Sequence, residues 1–278
     1  MVCQRPLYWV FGRVKSRGSW GFLASAPQIA AWPDEHPLKY GRGWCITGPL
    51  NWVLSIKMFQ MDLADSAAVH LAELRKLGCD VMACDDFGQI EALLEEIGSP
   101  YRAPMFDVRR NDFTKGDAFW LFLMRRGKPV GGVAARQIEL QDESFFDYVQ
   151  RVSGEQYGAE APLRAMAAPL KRRLAGRLVQ LDTLHLTEED QAKPALMRAF
   201  GHMVVVLSAM TWPEFDWMYS FAPEAHGPLQ SAYGFPIITP HALTWRPPVP
   251  FVHSNSEAVI YLSKLDFLHL LSLRHKKK

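Results

Sequence analysis

Cysteine is scarce in this sequence: Cys3, Cys45, Cys79 and Cys84 are the four among 278 residues, with no CxxC pair. That excludes a disulfide-built scaffold and a zinc ribbon. Cys79 and Cys84 bracket the apolar run Val81-Met82-Ala83 and read as half-buried thiols with no neighbouring base to activate them. There is no Gly-x-Ser-x-Gly elbow, and Gly127-Lys128 stands without the glycine-rich loop of a nucleotide triphosphatase, so hydrolases and NTPases built on those motifs drop out. An excess of one charge is lacking as well. Thirty-one Lys and Arg against 29 Asp and Glu leave a net charge of +2, which indicates no nucleic-acid or general polyanion role, although residues 274–278 form a short basic tail. Uninterrupted apolar runs are short: 199–213 falls below a membrane span and 258–273 carries Lys264 and Asp266. Arg5, Arg13, Lys15 and Arg17 break up the apolar N-terminus, leaving no signal-peptide core, and a cytoplasmic location is expected. His202 and His226 have no HxxxH or HExxH partner, and no metal is expected.

What is present is an ordinary globular composition, 49% hydrophobic and 22% charged, long enough for one elaborated domain. The segment 1–60, rich in Trp, Gly and Pro, suggests short strands such as 7–11 and 52–56. Residues 65–77 read as a helix capped by Asp62 or Asp65, with Ala68, Leu71, Leu74 and Leu77 on one face and Gly78 ending it. A strand at 79–84 precedes a helix begun by Asp85-Asp86, with Ile90, Leu93, Leu94 and Ile97 as its apolar face. The runs 118–124 and 130–140 flank a basic turn and predict a hairpin, whose second arm opens with Gly131-Gly132-Val133-Ala134-Ala135. Small residues there allow close packing or a close ligand approach. Residues 142–176 hold two amphipathic stretches, one with Phe145, Phe146, Tyr148, Val149 and Val152, the other with Leu163, Met166 and Leu170. Lys171-Arg172-Arg173 and Arg177 follow, as a solvated helix end or as a docking patch for an acidic partner.

The order from Arg177 onward is the most informative: an alternating strand to Leu186, an acidic turn, a helix beginning at Pro194, a break at Trp212-Pro213, a second strand with Phe215, Trp217, Tyr219 and Phe221 on one face, then a short helix ending in Tyr233-Gly234-Phe235. This order resembles the second half of the GNAT superfamily of acyl-CoA-dependent N-acyltransferases, over roughly residues 80–246. The resemblance implies an α/β (α+β) fold: a mixed, mostly antiparallel sheet of six or seven strands with a splayed parallel pair, flanked by helices. The GNAT-like domain would span 80–246 with a helical insertion at 142–176, preceded by an extension at 1–79 and followed by a helical extension and basic tail at 247–278.

In that family the splayed strand offers backbone groups to pantetheine, and a Gln/Arg-x-x-Gly-x-Gly/Ala turn surrounds the pyrophosphate with amides at a helix N-terminus. By resemblance, Leu184, Leu186, Gln191, Lys193 and Ala195 would contact acetyl-CoA or a longer acyl-CoA. Gln191 matches the first motif position, while Pro194 and Leu196 replace the small residues, and Pro194 has no N–H to donate. The position of the family's thiolate-protonating tyrosine, four residues before the glycine, is Gln230; Tyr233 is the nearest phenol. His185, at the end of the central strand, is the candidate base. These readings imply transfer of an acyl group from acyl-CoA, or from an acyl-carrier protein, to an amine. The departures leave a catalytically inactive GNAT-like binding module as the alternative. If residues 142–176 are a lid, Phe145, Phe146 and Met166 should face a cavity beside 184–186.

Overall fold

In the computed structural model the described residues are 49–99, 104–107, 116–223, 227–250 and 252–275. All belong to the second of two compact units, which begins at Gly48. The expected strand at 7–11, Cys3, Cys45, His226 and the lysines of the basic tail lie outside the described residues.

The chain enters this unit through one long helix, α1 (Pro49–Lys76). The expected strand at 52–56 is therefore helical, and neither Asp62 nor Asp65 caps a helix start. A short apolar run fits either period; what decides is its continuation, since Phe59, Leu63, Ser66, His70 and Leu74 recur every three or four residues on the inner face. Ala68 and Leu77, assigned to that face from the sequence, are exposed. Gly78, with φ 75°, stops the helix as expected. β1 (Asp80–Cys84) follows, then α2 (Phe87–Glu96), whose N-terminus is capped by Asp86 accepting from the N–H of Gly88 and Gln89. Burial pushes the Cys84 thiol above its ordinary pKa, which keeps it inert.

After a 3-10 turn (Pro104–Phe106) come β2 (Ala118–Arg125) and β3 (Lys128–Glu139), the expected hairpin. The insertion contains α3 (Phe145–Tyr157), β4 (Leu163–Met166) and α4 (Ala168–Arg173). Its second amphipathic stretch is thus partly a strand: Leu163 and Met166 pair with β8 (Leu243–Trp245), satisfying backbone groups that a one-turn helix would leave open. β5 (Arg177–Leu186), α5 (Glu188–Gln191), α6 (Pro194–Thr211), β6 (Trp217–Ala222), α7 (Gly227–Tyr233) and β7 (Ile237–Thr239) follow. β9 (Ala258–Ser263) and α8 (Lys264–His275) close the unit.

Among the described residues the main sheet has seven strands in the order β1-β2-β3-β5-β6-β9-β7. Every neighbouring pair is antiparallel except β5 and β6, which run parallel. This is the mixed, mostly antiparallel sheet with one parallel pair anticipated from the element order. One segment differs: β9, from residues expected to form a helical extension, is an interior strand between β6 and β7. Its first five residues, AVIYL, are buried on both faces, and an apolar run without alternation is what an interior strand shows.

Side chains on the two faces build two cores. The first joins Leu121, Val133, Val179, Leu181, Met218 and Leu262 to α1, α6, α7 and α8. The second joins Trp120, Phe122, Ala134, Leu178, Tyr219 and Tyr261 to α2, α3, α4 and the β4–β8 pair. α6 has the length and composition of a membrane span, but its side chains from Leu196 to Ala209 are largely buried against the sheet and neighbouring helices, the pattern of a core helix.

Candidate active site

The parallel pair parts early. β5 and β6 are in register only at Leu178–Trp217, Val179–Met218 and Gln180–Tyr219; beyond these no pairing joins them. β5 continues to Leu186 against β3, with a register shift in which two residues, 183 and 184, stand opposite Val133 alone. Such a bulge bends its strand and strengthens the local twist, carrying the end of β5 away from β6. The result is a V-shaped opening whose arms are residues 181–186 and 220–222, each presenting a backbone edge toward the other with no strand between among the described residues.

The sequence-derived residues distribute around this V. Leu184 and Leu186 pack into the first core. A Cβ at Gly131 would collide with the Leu186 side chain and lie 2.9 Å from the His185 carbonyl oxygen, so the small residue there serves packing between strands. His185 is half-buried and opposite Gly132. Cross-strand partners share a face, and the space above Gly132 is filled by Ile97 and Phe122 of the second core. Tyr233 sits in the first core, stacked on Phe235 at 5.4 Å. The two proposed catalytic residues therefore lie on opposite faces of the sheet. The Tyr233 hydroxyl is buried with no hydrogen-bond partner among the described residues, and burial, reinforced by the charge of Asp182 on β5, holds its pKa well above that of a free phenol. It stays protonated, a donor with nothing to donate to. Tyr233 also lines a cavity of about 280 Å³ with Ser66, His202, Val206, Leu262 and Phe267.

Gln191, Lys193 and Ala195 occupy the exposed turn between β5 and α6, but the turn is already engaged with itself. α5 consumes its amides: the N–H groups of Asp190 and Gln191 donate to Thr187, and that of Lys193 to Asp190. Pro194 offers none, which leaves Ala195 and Leu196 as the free first-turn donors of α6. The Gln191 side chain donates to the Leu186 carbonyl at 2.8 Å. Asp190, fully buried, accepts from Arg125 at 2.7 and 2.9 Å and from Lys193 at 2.8 Å. A carboxylate thus stands where the resemblance puts a diphosphate, and it takes up the positive charge assigned to one. Lys171, over the Phe146 ring at 4.2 Å, and Arg173, donating to the Tyr261 hydroxyl at 3.2 Å, are partnered locally. They belong to α4, before the start of β5, at the opposite end of that strand from the turn at 188–193. Phe145, against Tyr219 at 5.1 Å, and Met166 pack in the second core, across the sheet from Leu184 and Leu186.

One cluster escaped the sequence reading. Tyr157, at the end of α3, meets His253 Nε2 at 2.8 Å through its hydroxyl, while His253 Nδ1 lies 2.9 and 3.0 Å from the two carboxylate oxygens of Glu257. A carboxylate only accepts, so Nδ1 carries the proton and Nε2 accepts from Tyr157. The imidazole lies flat on Trp245 at 4.3 Å and edge-on to Phe221 at 6.2 Å. Phe221 belongs to the arm of β6 beyond its last β5 pair, which sets the cluster at the rim of the V on the face of His185. The signal was faint: His253 and Glu257 stand four apart in a loop, and Tyr157 comes from 96 residues upstream.

No family model matches the sequence, and no curated protein matches it. Solved structures similar to it include an N-acyl amino acid synthase from uncultured soil microbes, 10% identical, covering 68% of this chain and 92% of that one at a TM-score of 0.39. A spermidine N-acetyltransferase from Vibrio cholerae, in complex with CoA and spermine, is 10% identical over 69% and 98% at 0.39. An aminoglycoside acetyltransferase in complex with coenzyme A and kanamycin is 12% identical over 68% and 98% at 0.38. At these values the likeness is one of element order, and the sheet described above stands on its own pairing.

Proposed function

We propose that this chain is a GNAT-like N-acyltransferase that holds an acyl thioester in the V between β5 and β6 and passes the acyl group to an amine. The observation that carries this reading is the parting of a parallel strand pair after three residues, beside a bulge, at the centre of a mixed sheet. Open strand edges suit the amides of a pantetheine arm, which can continue the ladder that the splay interrupts. Because the amides of Asp190, Gln191 and Lys193 are engaged within the turn and Asp190 takes up its nearby cations, recognition falls to that arm more than to a diphosphate, and both coenzyme A and an acyl-carrier protein suit as carriers. Tyr233 fits a donor to the carbonyl oxygen better than an acid: a phenol raised by burial gives its proton to a thiolate unwillingly, yet hydrogen-bonds a developing oxyanion well. The cavity beside it is roughly twice the size of one that admits benzene, which supports an acyl chain longer than acetyl.

A second reading, the inactive binding module, is favoured by the Asp190 cluster alone. Thiol release separates the two. With acetyl-, hexanoyl- and decanoyl-CoA and the matching pantetheine thioesters, an acyltransferase should release thiol faster when a primary amine is added. A protein that releases none, and whose melting temperature no thioester raises, is the binding module for some other ligand.

A further inference from the structure

We infer that Tyr157, His253 and Glu257 form a proton relay whose working end is the Tyr157 oxygen. The three groups form one chain: a buried carboxylate fixes the imidazole tautomer, and the half-buried imidazole presents its other nitrogen to a half-buried phenol. Trp245 stacks on the imidazole face at an interplanar angle of 19° and favours the cation that forms when the ring accepts a second proton.

The role of the relay rests on the acyl-transfer reading above. As the amine nitrogen bonds to the thioester carbonyl, its proton passes to the Tyr157 oxygen while the Tyr157 proton passes to His253 Nε2. The C–S bond then breaks, the electron pair leaves with sulfur, and the same proton returns through Tyr157 to the departing thiolate. The imidazolium is held meanwhile between Glu257 and Trp245. No oxidant, metal or further reactant enters the balance. The substrate class is a neutral amine delivered to the second-core face of the V, where Phe221 and His185 flank the approach.

The test has two arms. In the first, the folded full chain is treated with N-acetylimidazole and O-acetylation of Tyr157 is followed by peptide mass spectrometry, in the wild type and in His253→Gln and Glu257→Gln. An activated phenol should label at least about tenfold faster in the wild type than in His253→Gln. Equal rates in variants whose circular dichroism matches the wild type overturn the relay. In the second arm, Tyr157→Phe, which keeps the ring, should lower kcat for amine acylation by roughly 100-fold or more with KM for the thioester unchanged. Retained kcat overturns the base role. His253-dependent labelling in a protein that transfers no acyl group supports the relay and rejects the acyltransferase reading instead.

Discussion

Asp190→Ala should destabilise the protein by about 3 kcal/mol in urea unfolding at neutral pH, the cost of removing one partner from a buried ion pair. Asp190 has no exposed surface and three charged hydrogen bonds, while Arg125 keeps 23% and Lys193 45% of its side-chain surface exposed. The loss therefore falls on the guanidinium more than on the ammonium, which can turn to solvent or to Glu189. Burial alone would raise the Asp190 pKa, but the hydrogen bonds from Arg125 and Lys193 outweigh it and hold the carboxyl below its ordinary range. A depressed folded-state pKa means that this stabilisation is present above the unfolded-chain value near ~4 and is lost as pH falls through the lower folded value. The gap between wild type and Asp190→Asn should accordingly shrink as the pH of the urea titration is lowered from neutrality into that acid window. A variant as stable as wild type at pH 7 would show that the cluster is not holding the turn closed.

Gly201→Val should be at least as damaging, on the order of 3 kcal/mol, because the obstacle is backbone. A Cβ at 201 would overlap the Ala232 carbonyl oxygen and stand 2.8 Å from its carbon, where α6 and α7 touch. Even Gly201→Ala, which gains roughly 1 kcal/mol of intrinsic helix propensity, should come out destabilised, since α7 must retreat. The retreat carries Tyr233, the residue next to the clash, so catalysis should fall further than stability in any variant that still folds. Equal or greater stability in Gly201→Ala by thermal unfolding would contradict the contact.

Much of the fold was legible because it is written in local signals. Asp86 before an apolar stripe, the Arg126-Gly127 turn between two apolar runs, and Trp212-Pro213 after a buried helix each mark a boundary by a mechanism that operates within a few residues. The parallel pairing of β5 and β6 followed from element order, since a strand, a helix and a strand joined in sequence cross over in parallel. What failed was non-local. The run at 52–56 is helical because the stripe from Phe59 to Leu74 continues it, β4 is a strand because β8 is there to pair with it, and β9 enters the sheet because β6 and β7 leave a gap. The site divides the same way. Pro194 already spoke against a glycine-type anion turn, but that Asp190 would fill the place needed Arg125, sixty-five residues distant. The Tyr157 cluster needed the turn of the 252–257 loop over Trp245.

The most direct test of a thioester site in the V is amide hydrogen exchange with and without decanoyl-pantetheine, which has the arm and lacks the diphosphate. Protection should rise at 181–186 and 220–222, the two arms beyond the last β5–β6 pair, with 191–196 unchanged. Protection confined to the turn at 191–196, with the two arms exchanging as in the free protein, would contradict the account.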